Sequence, residues 1–104
     1  ISIENEIMII VIGSIVVKEG CVDEALRISQ QHVDHSRSED GCITHGVHID
    51  SENSQRLVFV EEWKDQASLS QHFVEPTSIE FVKKIEALVV KAPEMAIYDA
   101  TQLK

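Results

Sequence analysis

Basic residues are scarce in this chain: 9 Lys and Arg stand against 18 Asp and Glu, for a formal net charge of −9. Phosphate contacts need a basic face, so nucleic acid is excluded as a partner and an anionic membrane surface is disfavoured. Cysteine occurs only as Cys21 and Cys42. They form no Cys-x-x-Cys pair and no disulfide framework, which suits reduced thiols and a cytoplasmic location. Long hydrophobic runs are missing too. The richest segment, Ile7 to Val17, is broken by Gly13 and Ser14 and falls well short of the roughly 20 residues that span a bilayer. It has neither a basic leader nor a small-residue cleavage site, so neither a membrane span nor a signal peptide is expected. Glycine occurs four times and proline twice, with no linker, repeat or low-complexity stretch. No Gly-rich phosphate loop and no dinucleotide fingerprint occurs, and no flavin, nicotinamide or other cofactor is expected.

What is present is a chain of 104 residues, 43% hydrophobic, which is enough for one domain over residues 1–104 with its own core. Residues 7–17 are apolar on both alternating faces and predict a strand covered on both sides. Gly20 marks a turn. Residues 22–38 have helical spacing, with Val22, Ala25, Leu26, Ser29, His32, Val33 and Ser36 on one stripe. Residues 42–49 alternate, placing Ile43, His45, Val47 and Ile49 on one face. After a polar turn at 50–55, residues 56–64 return with Leu57, Phe59, Glu61 and Trp63 together. Asp65 caps a short helix through Phe73, which Pro76 breaks. Thr77 or Ser78 starts another, with Phe81, Val82, Ile85, Leu88 and Val89 inward. A last strand over 95–103 buries Met95, Ile97 and Tyr98. The order βαββαβ is that of an α+β, ferredoxin-like split βαβ domain. Its four-stranded antiparallel sheet carries helices on one face. The other face is too apolar to stay wet, which predicts a homodimer through the sheets.

The residues able to carry chemistry are mostly histidines: His32, His35, His45, His48 and His72. His32 and His35 could share a helix face, but His45 and His48 are three apart on a strand and point to opposite sides. No His-x-x-x-His, Glu-x-x-His or Cys/His spacing occurs, so no metal site is expected. His72, beside Phe73, is a candidate general base. Trp63 is either core or a flat wall whose indole N–H donates a hydrogen bond. His32 and Ser36 are a polar pair on a packing face, which costs stability unless they are bonded or line a cavity. If odd residues pair with odd residues across the hairpin, His45 faces the same way as Phe59, Glu61 and Trp63. Glu61 among aromatics is either a base or the partner of a histidine. His35 and His48 are expected to be exposed and uninvolved.

The run Glu39-Asp40-Gly41-Cys42, then Glu61-Glu62-Trp63, then Asp65 with Leu69 and His72, then Pro76, resembles the antibiotic biosynthesis monooxygenase superfamily. The resemblance implies a dimeric α/β barrel and cofactor-independent oxidation of a small phenolic, quinol or anthrone-like substrate by O₂. It makes His72, Trp63 and His32 the catalytic candidates and His45, Phe59, Glu61, Ser36 and Phe73 the substrate-binding ones. The chain also departs from the pattern. Thr77 follows Pro76 where many members have histidine, and His45 stands where an aromatic is common. The haem-degrading branch is disfavoured, because its proximal histidine and first-strand asparagine have no counterpart. An isomerase of a small metabolite, or a non-catalytic ligand-binding module, is the alternative.

Overall fold

The computed structural model describes residues 7–104. Its elements are β1 (Ile7–Val16), α1 (Val22–Ser36), β2 (Cys42–Asp50), β3 (Asn53–Trp63), α2 (Gln66–Val74), α3 (Pro76–Glu86) and β4 (Glu94–Thr101). The four strands form one antiparallel sheet in the order β2-β3-β1-β4. The fold is therefore the expected α+β ferredoxin-like arrangement, with helices on one face.

Alternation decides which side chains enter the core. Val11, Ile15, Leu57, Phe59 and Trp63 point under the helices and are buried, and Ala25, Ile28, Val33, Leu69 and Ile85 meet them from above. Each fully buried aliphatic or aromatic side chain contributes roughly 1.5–3 kcal/mol. The buried stripe of α1 includes Ile28, which extends the predicted face by one residue. The opposite face of the sheet carries Ile12, Val60 and Tyr98, all exposed within one chain. Over β1 it is apolar, as the two-sided pattern of that strand predicted, while Thr44, His48 and Glu62 make its β2 side polar.

Several boundaries differ from the sequence reading. β3 begins at Asn53, because Asp50 pairs with Asn53 and only Ser51 and Glu52 are left for the turn. The polar side chains that suggested a longer loop make local bonds: Asp50 Oδ1 accepts from Glu52 N–H at 2.8 Å and Asn53 Oδ1 from Gln55 N–H at 3.0 Å. Pro76 opens α3 as its first residue, with Glu75 as N-cap in place of Thr77 or Ser78. Proline is well suited there, since the first helical N–H has no partner to lose. Val82 is exposed instead of inward, and Leu88 and Val89 pack on the core from beyond the end of α3. Met95, Ile97 and Tyr98 are 56%, 50% and 51% exposed, against the expectation of burial. β4 is an edge strand, and the helices make their main sheet contacts with β2 and β3.

Two local devices position α2. Asp65 is the expected N-cap, accepting from Ser68 N–H at 2.8 Å. Gly41 has φ of 82°, and a Cβ there would lie 2.1 Å from Ser68 Oγ. Only glycine satisfies both the left-handed backbone and the close approach of the helix.

Candidate functional site

Three histidines from three elements converge beneath the helices: His32 from α1, His45 from β2 and His72 from α2. Their ring centroids are 5.2 Å (His32–His72), 5.5 Å (His32–His45) and 5.6 Å (His45–His72) apart. One ligating nitrogen from each ring lies within 4.8 Å of the others. The linear spacing had ruled out local chelation, but the fold brings together residues that sit 13 and 27 positions apart.

The hairpin register is odd with odd: His45 pairs with Glu61 and Val47 with Phe59. His45 therefore faces the helix side, as the sequence reading required. His45 Nε2 lies 3.2 Å from Glu61 Oε1 but is out of line for a hydrogen bond, and neither ring nitrogen has a hydrogen-bond partner among the described residues. Glu61 Oε1 accepts the Trp63 indole N–H at 2.9 Å. Burial pushes the Glu61 carboxyl up, but the neighbouring His45, the Trp63 donor and His72 outweigh it and hold it below its usual value.

His72 is 3% exposed. Its Nδ1 bonds the Glu39 carboxylate, and Ser78 Oγ stands 3.5 Å from the same nitrogen. Neither partner was singled out from the sequence as a site residue. Glu39 was legible only as part of a turn, and Ser78 only as a helix cap. His32 stacks on Phe81 with centroids 4.0 Å apart and planes 5° from parallel. Burial, with the repulsion of His72 and His45, pushes its pKa down to about 3, and Glu61 only partly offsets this. His32 is therefore a neutral imidazole at physiological pH, and its Nδ1 is buried without a partner among the described residues.

Against this cluster lies a cavity of about 150 Å³ between the sheet and α3. His32, His72, Glu61 and Ser78, with Ser14 and Glu94, supply its polar wall, and Phe59, Phe73, Phe81 and Ile85 most of its apolar one. Its floor is Gly13, which sits on the helix-side face between Val11 and Ile15 and opposite Phe59 and Met95. The absent side chain leaves the space open, and an apolar strand interrupted by glycine was the sequence signal for it.

Not every predicted contact reaches the cavity. Trp63 is fully buried behind His72, at 4.7 Å between ring centroids, and stands as a support for Glu61 and His72 in place of the expected wall. His45 is likewise beneath the cavity, outside its lining. Ser36 resolves its burial by donating to the His32 carbonyl at 2.7 Å, away from the cavity. His48 is exposed, as expected. His35 is largely exposed too, with Nε2 3.7 Å from Glu39 Oε2.

This combination of split βαβ topology and a histidine-lined cavity between sheet and helices defines a class of small α+β domains. Within it, the sequence profile of the antibiotic biosynthesis monooxygenase family matches residues 8–84. The chain belongs to that family. An uncharacterized protein of Synechocystis is 38% identical over 90 residues, which are 86% of this chain and 61% of that protein. The chain thus spans about three-fifths of the length of that curated relative. A conserved protein from Methanosarcina mazei Go1 superposes with a TM-score of 0.86 at 31% identity, covering 89% of this chain and 92% of that one. A crystal structure of an antibiotic biosynthesis monooxygenase superposes with a TM-score of 0.83 at 26% identity, covering 88% and 97%. Among the described residues, no helix is long and apolar enough to cross a membrane.

Proposed function

We propose that this domain is a cofactor-independent monooxygenase acting on a small, single-ring phenol or quinol, and that it works as a homodimer. Family membership supports a monooxygenase-like or small-molecule-binding role. The observation that carries the finer reading is His72, which lines an aromatic cavity while Glu39 engages its Nδ1. A carboxylate behind an imidazole orients the ring and stabilises the cation formed when it accepts a proton.

Size selects the substrate class. A dry apolar cavity of roughly 150 Å³ accepts a benzene-sized ring. The cavity of this protein has about that volume, which favours one ring over the fused rings of an anthrone.

In the proposed reaction, His72 takes the phenolic proton. The phenolate passes one electron to O₂, and the resulting radical pair joins through a C–O bond at a ring carbon bearing hydrogen. The peroxide takes a proton back from His72. Loss of the C–H proton then breaks the O–O bond, releasing water and leaving a quinone carbonyl. One oxygen atom enters the product and the other leaves as water. The substrate supplies all four electrons, so no external reductant is needed. Neutral His32 offers a hydrogen bond to the substrate oxygen, and the apolar wall keeps water from quenching the anion. His45 and Trp63 act on Glu61 from below, and Ser36 secures the backbone of His32.

The test is oxygen uptake by metal-stripped protein over single-ring phenols and quinols, with anthrones as the size control. Saturable uptake lost in His72→Ala supports the reading. Uptake unchanged in that variant removes His72 from the mechanism. Ring binding without uptake turns the reading to a binding module, and proton exchange without uptake to an isomerase.

A further inference from the structure

The three-histidine cluster is more than the proposed reaction requires. Proton transfer uses one imidazole and substrate orientation at most one more. His45 reaches neither role, yet its imidazole is wholly buried; among the described residues neither nitrogen has an aligned hydrogen bond, and only Nε2 has a polar neighbour, the Glu61 carboxylate at 3.2 Å. A buried ring nitrogen without a partner, most clearly His45 Nδ1, costs stability unless something binds it. His32 Nδ1, in the same cluster, is likewise buried without a partner among the described residues.

From this geometry we infer that His32, His45 and His72 form a three-imidazole site for a divalent first-row ion of the zinc class, with its fourth position open toward the cavity. The donor set matches the chemistry. Imidazole nitrogens suit zinc, copper, nickel and cobalt, whereas magnesium and calcium prefer oxygen. Three histidines plus an open position is a known zinc arrangement. Nitrogens within 4.8 Å of one another must close to about 3.4 Å to fit bonds of about 2.0–2.1 Å in a tetrahedron. That is a shift of roughly one ångström per ring.

The surroundings agree. Glu39 holds Nδ1 of His72, leaving Nε2 as the nitrogen available for an ion. A carboxylate on the far side of a ligating imidazole fixes its tautomer and strengthens it as a ligand. Glu61 stands 3.2 Å from His45 Nε2 and lines the cavity. The buried Glu61 and the half-buried Glu39 beside three imidazoles balance the charge of one divalent cation. The inference stands on this cluster alone and does not depend on the oxygenase reading. An ion there occupies the ring that the reading assigns to proton transfer, so the oxygenase reading concerns the metal-free chain, the form in which uptake is assayed.

The experiment is titration of the metal-stripped full chain with Co²⁺, followed by visible absorption, then displacement by Zn²⁺ in a calorimeter. One ion per chain is expected, with the intense d–d bands of four-coordinate cobalt and no thiolate charge-transfer band. His45→Gln should weaken binding beyond the roughly 10–100-fold expected for Glu39→Gln, whose carboxylate acts only through His72. Far-UV circular dichroism establishes that the variants are folded. Should His45→Gln not fold, the wild-type spectrum and the Glu39→Gln shift decide. No stoichiometric band in the wild type overturns the proposal. So does a thiolate band, which places the ion at Cys21 or Cys42, or affinity unchanged in a folded His45→Gln.

Discussion

The Glu39 carboxylate bonds Nδ1 of His72 across 33 residues of sequence, joining the end of the first helix to the second. The contact lies next to the cavity and within the protein, where a charge-assisted bond is stronger than in water. Glu39→Gln keeps the shape and removes the charge. Under the oxygenase reading, kcat should fall by about 10²-fold or more, with KM little changed because Glu39 does not line the cavity. A fall in kcat below threefold in steady-state oxygen uptake would leave the carboxylate without a role in proton transfer.

Gly13 gives a separate handle on the cavity. A Cβ at this position meets Glu94 O at 3.5 Å and Phe59 Cβ at 4.0 Å, both ordinary contacts. Gly13→Val should therefore fold, with stability equal to wild type or higher by up to about 1 kcal/mol from β propensity. Its methyl groups fill the floor, so binding of a single-ring ligand should be lost. Calorimetry with a phenol and a urea melt on the same sample check both halves.

The N-cap of α2 makes a pH prediction. Bonds from Ser68, first its backbone N–H, hold the Asp65 carboxyl below its usual value. A group with a lowered folded pKa stabilises the fold above its unfolded pKa, and that contribution is lost as pH falls through the folded value. Asp65→Ala should lower Tm by a few degrees at neutral pH, and the gap should close on descending below about pH 4. Melting curves at neutral and acidic pH test this; a gap independent of pH would mean that the carboxylate charge plays no part.

The face of the sheet away from the helices is the expected dimer surface. Ile12 and Val60 pair across β1 and β3 there, and both are exposed in the single chain. Sedimentation equilibrium should give about twice the chain mass of 11.7 kDa. Ile12→Glu should give the single-chain mass, because a carboxylate buried between two sheets has no partner to offset its desolvation. A wild-type chain sedimenting as a monomer would remove the homodimer from the proposed function.

Much of the fold was legible because its signals are local. Alternation in β2 and β3, helical spacing in α1 and the cap at Asp65 each act over a few residues, and each appears in the structure within a few positions of its prediction. The misplaced features depend on neighbours that periodicity does not record. Met95 and Ile97 look like core by pattern but lie on an edge strand. Pro76 looks like an ending, but φ restriction serves a helix start equally well, and Glu75 supplied the cap.

The same division holds at the candidate site. Residue identity and strand parity were enough to place His45 and Glu61 on one face, and hairpin pairing confirmed the odd register. Which side chains reach the cavity was decided by depth, and depth belongs to the packed layers. Trp63 and His72 lie 4.7 Å apart, yet only His72 touches the cavity, because the helix comes down over the indole. The sequence by itself determined the elements, their order and the chemical types available, since these follow from short-range sterics and hydrophobic period. Only the tertiary structure decided that three distant histidines meet, that Glu39 stands behind one of them and that Gly13 leaves room beside them, because chain closure places groups whose separation along the sequence carries no distance information.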